Sequence, residues 1–80
     1  MTKNKKNNDY SDKYYIDLYS KYYKFLTQSQ RQVFELYFLE GFTISKIADI
    51  IVTTRQATYD SLKKAKEKLI KIFEKMEGME

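Results

Sequence analysis

The chain contains no proline, and only two of its 80 residues are glycine. These residue types interrupt helices most strongly, proline because it lacks a backbone N–H and glycine because its backbone is too free. A chain with few such residues and many helix formers favours helix over most of its length. We therefore predict an all-α fold of four helices in one domain, because 80 residues can bury only one modest core.

The composition argues against catalytic function. Cysteine and histidine are absent, so the chain lacks disulfides, the usual zinc ligands and the most common general base. Glu40, Asp49 and Asp60 are scattered along the chain, and no glycine-rich phosphate loop accompanies them. We expect a protein that is not an enzyme and needs no cofactor or metal.

The charge balance and hydropathy indicate a soluble protein. Lys and Arg total 15 against 11 Asp and Glu, a net charge of +4, which by itself is a weak sign of an acidic partner. No apolar run is long enough to span a bilayer, and no apolar stretch follows the basic N-terminus as in a signal peptide. We expect a cytoplasmic location without membrane insertion, and a disordered basic tail over residues 1–10.

Capping residues mark the helix starts. Ser, Thr and Asp are favoured N-caps because their side-chain oxygens accept hydrogen bonds from free backbone N–H groups. The candidates in chain order are Ser11 or Asp12, Thr27 with Gln30 as a capping box, Thr43, and Thr53 or Thr54. The first helix should end near Leu26 and the second near Gly41, a natural residue for a helix end. The last helix should run from about Arg55 to Met76.

The first predicted helix carries an aromatic stripe. Its members follow one another at spacings of 3, 4 and 3 residues: Tyr15, Leu18, Tyr22 and Phe25. We expect them to pack, within one chain or between two chains, on a seam of the last helix formed by Leu69, Ile72 and Met76. Stacking of single-stranded bases on these tyrosines is the less favoured alternative. Tyrosines left exposed by the packing would favour a homodimer.

Residues 43–66 have the pattern of a helix-turn-helix. A short helix and a turn precede a longer helix with a polar start, and Ala48 is small enough for a close crossing. Side chains facing away from the core near the start of a recognition helix can contact DNA. We expect base-edge contacts from Arg55, Gln56 and Tyr59, and phosphate contacts from Lys63, Lys64 and Lys66. Asp60 shares this outward side and would repel phosphates.

The stretch LTQSQRQVFELYFLEGFTISKIADIIVTTRQATYDSLKKAKEKL resembles the YlxM family of small bacterial helix-turn-helix proteins, which are themselves similar to region four of sigma factors. The resemblance runs from about Ile16 to Met76. Its most specific parts are Leu26-Thr27 with Gln30-Arg31, Glu35-Leu36-Tyr37, Ile47-Ala48, and Arg55-Gln56-Ala57 with Tyr59-Asp60. It implies a DNA-binding type of fold and a link to the signal recognition particle.

Three positions in the motif depart from the family pattern. Val52 stands in the turn where the family usually has Gly or Asn, and a left-handed conformation is costly for a β-branched residue. Thr53 and Thr58 replace positions that are normally aliphatic, which should thin the contact between the two motif helices.

Two functions of different classes follow. The preferred one is a regulatory protein that binds double-stranded DNA through the motif. The alternative is an adaptor that does not bind DNA and instead contacts a protein or RNA component of the signal recognition particle. The adaptor would use exposed tyrosines of the first helix, such as Tyr14 or Tyr23.

Overall fold

The computed structural model describes residues 11–78. The elements in chain order are α1 (Asp12–Tyr22), a 3₁₀ turn (Tyr23–Phe25), α2 (Gln28–Phe34) continued by a π-helical turn (Glu35–Leu39), α3 (Ile44–Ile50) and α4 (Arg55–Met76). Residues 11–78 contain no strand, and the predicted all-α fold of four helices is confirmed. The predicted disordered tail over residues 1–10 lies outside the described residues.

Every α-helix starts at a capping hydroxyl. The caps accept a hydrogen bond from the backbone N–H three residues later, at distances of 3.0–3.2 Å: Ser11, Thr27, Thr43 and Thr54. At Thr27 the box is reciprocal, because its own N–H donates to Oε1 of Gln30 at 3.0 Å. The structure thus selects Ser11 over Asp12 and Thr54 over Thr53.

The second helix ends in a wider turn that the sequence pattern did not predict. The N–H of Glu40 donates to the carbonyl of Glu35, five residues earlier, at 3.0 Å, and the N–H of Phe42 donates to Leu36 at 3.0 Å. Gly41 then takes a left-handed conformation with φ +79°, in agreement with its predicted place at the helix end. The chain can therefore reverse sharply before α3.

Aromatic rings from α1 and α2 fill the centre of the core. The Tyr19 and Phe34 rings stack with centroids 4.4 Å apart, and Phe34 lies equally close to Phe38. The buried apolar residues of α1 are Tyr15, Leu18, Tyr19 and Tyr22; those of α4 are Leu62, Ala65 and Leu69. The prediction that the aromatic stripe packs against α4 is confirmed.

Two predicted members of this packing are wrong. Phe25 is 49% exposed because the 3₁₀ turn begins at Tyr23 and changes the helical period before the stripe is complete. Met76 is 59% exposed, so the seam of α4 ends with half-buried Ile72. Tyr23 and Phe25 are the aromatic residues left exposed near this end of α1, and a homodimer through them stays a prediction.

Two tyrosine hydroxyls connect the helices. Tyr19 donates a hydrogen bond to the carboxylate of Glu35, and burial together with this bond raises the pKa of the Tyr19 hydroxyl. Tyr22 donates to the carboxylate of Glu77, which also accepts from Nζ of Lys21 at 3.3 Å. The bond from Tyr22 lowers the pKa of Glu77. The end of α4 is thereby fastened to α1.

We predict that Leu69→Ala lowers the free energy of unfolding by about 2–5 kcal/mol, because it opens a cavity at a fully buried position. Met76→Ala, on the same helix and mostly exposed, should change it by less than about 0.5 kcal/mol. Urea denaturation followed by circular dichroism measures both. Equal small losses would mean that Leu69 does not lie in a tightly packed core.

Candidate nucleic-acid interface

Helices α3 and α4 pack on each other with a four-residue connection, as the predicted helix-turn-helix requires. Ile47 and Ala48 form the buried side of α3, whereas Asp49 and Ile50 are exposed. The first turns of α4 are therefore held against a short helix that is itself anchored in the core. This places the start of α4 at the surface of the molecule.

The turn keeps a left-handed residue although that residue is valine. Val52 has φ +58°, and its N–H donates to Asp49 at 3.4 Å while the N–H of Thr53 donates to Ala48 at 2.9 Å. This pair of bonds is the Schellman arrangement that usually has Gly or Asn at the left-handed position. The Val52 side chain is 87% exposed, so no packing compensates for its steric cost of about 1–2 kcal/mol.

Thr58 is the only polar residue among the described ones that is buried. Its hydroxyl donates to the carbonyl of Thr54 at 2.9 Å, so the polar group is satisfied within its own helix. Thr53, by contrast, is exposed. Thr58 is therefore fully buried without leaving its hydroxyl unsatisfied.

Four of the predicted DNA-contacting residues share one side of α4. At about 100° per residue, Arg55, Gln56, Tyr59 and Lys63 fall within an arc of roughly 100°, and all four are exposed. The guanidinium of Arg55 donates to Oγ of Ser45 at 3.5 Å. This weak contact links the start of α4 to α3. We call these four residues the reading face.

The structure does not bring Lys64 and Lys66 together with the reading face. Lys64 lies about 100° around the helix from Lys63, beside Gln30 of α2. Lys66 falls within the arc of the reading face by helical period, but it is half-buried and its ammonium lies 5.0 Å from the centroid of the Tyr15 ring of α1, within cation–π range. The three predicted phosphate contacts therefore do not share one surface.

Asp60 borders the reading face. It lies about 40° from Gln56 around the helix, and it accepts a hydrogen bond from Nε2 of Gln56 at 3.3 Å. The carboxylate therefore holds the amide of Gln56 in place and adds a negative charge where phosphates would be repelled. Ser45 is the neighbour that sequence reasoning missed. The period of α3 puts it on the exposed side, but only the crossing of α4 brings Arg55 to it.

None of the helices within residues 11–78 combines the length and the apolar character needed to cross a bilayer. In the same range, no three acidic side chains are grouped so that they could hold a metal ion.

Comparisons with known proteins agree with the motif. The family model of YlxM/p13-like helix-turn-helix proteins, UPF0122, matches residues 5–79. A UPF0122 protein of Thermoanaerobacter sp. (strain X514) is 37% identical over 62 residues, which are 78% of this chain and 52% of that protein. A UPF0122 protein of Staphylococcus aureus (strain JH9) is 38% identical over 58 residues, 72% of this chain and 52% of its own. The chain spans about half the length of these curated relatives. No solved structure matches it.

We predict that Val52→Asn raises the free energy of unfolding by about 1 kcal/mol, because Asn tolerates the left-handed conformation that strains valine. Val52→Thr is the matched control, since threonine is polar but equally β-branched, and it should leave stability unchanged. Urea denaturation of the unmodified chain and of both variants measures the three free energies of unfolding. No gain in the Asn variant would mean that the turn is not strained.

Proposed function

Because the chain belongs to the UPF0122 family of YlxM/p13-like helix-turn-helix proteins, we propose that it is a regulatory protein that binds double-stranded DNA through this motif. The family is one of helix-turn-helix proteins and not one of enzymes, which agrees with a binding role. The observation that carries the proposal is the reading face, four exposed side chains at the start of a helix that is anchored in the core.

The reading face has the chemistry of a recognition helix. In this motif the first residues of the second helix reach base edges in the major groove. Arg55 can donate two hydrogen bonds to guanine, and the amide of Gln56 can pair with adenine. Tyr59 adds an exposed hydroxyl one turn later. The contact from Arg55 to Ser45 is weak, so the guanidinium can readily exchange it for a hydrogen bond to a base.

The phosphate contacts divide between the two flanks of α4. Lys63 continues the reading face, and Lys64 projects toward α2, so each can meet a different strand at the wall of the groove. Lys66 is assigned to packing, because its ammonium lies over Tyr15. Asp60 favours a docking in which it faces base edges, where it can accept from the amino group of cytosine, and disfavours close contact with phosphates.

One observation favours a second candidate. Tyr23 and Phe25 of the 3₁₀ turn are both exposed, at 38% and 49%. Aromatic residues are enriched in protein–protein interfaces. In this case the chain would act as an adaptor that contacts a protein or RNA component of the signal recognition particle. Tyr14 in α1 is half-buried, so it offers less surface than Tyr23.

We predict that the full chain binds a fluorescent mixed-sequence duplex of about 25 base pairs, and that the affinity falls steeply between about 50 and 200 mM salt. Selection from a randomised duplex pool should enrich a short sequence. Arg55→Ala should weaken binding to that sequence by about 5- to 150-fold, corresponding to 1–3 kcal/mol, and relax the preference at one position.

Lys63→Ala should weaken binding to all duplexes alike and reduce the salt slope by about one. Lys24→Ala is the control, because Lys24 is an exposed lysine in the 3₁₀ turn after α1, and it should change neither measure. Binding that is unaltered by both Arg55→Ala and Lys63→Ala would contradict the contact assignment. No duplex binding at 50 mM salt would contradict the proposed function and favour the adaptor.

A further inference from the structure

A straight row of lysines runs along α4 on the flank that faces α2. Its members follow one another at spacings of 4, 3 and 4 residues: Lys64, Lys68, Lys71 and Lys75. At about 100° per residue they fall within an arc of roughly 60°. We call them the lysine row. Gln30 of α2 and the acidic Glu67 line a shallow groove together with the first three.

No member of the lysine row forms an ion pair within 4 Å among residues 11–78. The ion pairs found among residues 11–78 join Lys13 to Asp17 and Lys21 to Glu77, and both involve other lysines. The three-residue spacing of Lys71 and Glu74 permits an ion pair, but none forms within 4 Å. Three members of the row are exposed and Lys68 is half-buried, and Glu67 borders the row in the same groove without an ion pair to it, so the ammonium groups can turn to an anionic partner.

The lysine row is distinct from the reading face. Three acidic residues lie between the two at heptad spacing along α4: Asp60, Glu67 and Glu74. They drift by only about 20° per heptad, so they form a narrow acidic strip. The lysines of α4 therefore do not form one broad basic surface. A partner bound by the lysine row lies on the opposite side of the acidic strip from Lys63.

We propose that the lysine row binds the phosphate backbone of one strand of the DNA duplex that the reading face engages. This inference rests on the proposed function. A helix is about 10–12 Å across and the major groove about 12 Å wide, so a docked helix has one flank toward each strand. The reading face and the acidic strip then face base edges, and the lysine row faces a groove wall.

The dimensions of the row fit a phosphate backbone. From Lys64 to Lys75 the helix rises about 16 Å, which is long enough for the row to meet several phosphates of one strand. Lysine is suited to phosphates because its ammonium acts as a mobile point charge. Lys64 of the row follows Lys63 of the reading face in the chain and lies about 100° around the helix from it, so one duplex can meet both surfaces across the acidic strip.

The test compares two double variants of equal charge change. Lys68→Gln with Lys71→Gln removes two members of the row, and it should reduce the slope of log affinity against log salt by about two for the mixed-sequence duplex, at roughly 0.9 per phosphate contact. The sequence enriched by selection should stay the same, because phosphate contacts carry no base preference.

The matched control is Lys13→Gln with Lys24→Gln. Both lysines are exposed and lie outside α4, so the salt slope should stay that of the unmodified chain. An equal reduction of the slope in both double variants would overturn the proposal, because net charge rather than the position of the row would then govern binding. Circular dichroism confirms that each variant is folded before binding is measured.

The remaining outcomes separate this inference from the proposed function. If the row variant keeps the full salt slope while Arg55→Ala loses its preference for the selected sequence, the role proposed for the lysine row is overturned and DNA binding stands. If the unmodified chain binds no duplex DNA, both are overturned. If the row variant loses affinity for duplex RNA or poly-glutamate and keeps its DNA slope, the partner of the row is not DNA and the proposal is overturned.

Discussion

The burial of one face of α4 against the aromatic core fixes everything that the helix presents to the outside. Leu69 and Ala65 are fully buried, and Phe34 and Tyr15 fill the space opposite the helix. Because a helix is rigid about its own axis, burying this face sets the rotation of all its other residues. The reading face, the acidic strip and the lysine row are consequences of that rotation, and a shift of one residue in the seam would move all three.

The second constraint is the turn between the motif helices. Its two backbone hydrogen bonds satisfy carbonyls at the end of α3 and require a left-handed residue. Val52 meets the requirement at a steric cost, and its exposed side chain gains nothing from packing. The geometry of the motif is therefore imposed by the helices on either side of the turn and not by the preference of the turn residue.

Much of this fold could be predicted from local sequence signals. Hydroxyl caps and the box at Thr27 have short-range causes, and all were confirmed. Two features escaped prediction for different reasons. The position of the Lys66 ammonium depends on a long-range contact with Tyr15, and the exposure of Phe25 depends on a local 3₁₀ turn that the hydrophobic period does not predict. At the candidate site, the helical period separates Lys63 from Lys64, but only the packing of the helices shows that Lys66 turns to Tyr15.

The fastening of Glu77 to Lys21 and Tyr22 has a consequence for recognition. These hydrogen bonds hold the last turn of α4, where helices usually fray. The first turn of α4 is held by the Thr54 cap and by the connection from α3. A helix secured at both ends is preorganised, so little of its conformational entropy remains to be lost when a partner orders it. Contacts separated by three turns of the same helix then act as parts of one rigid body, and the binding energy gained at one end is not spent on ordering the other.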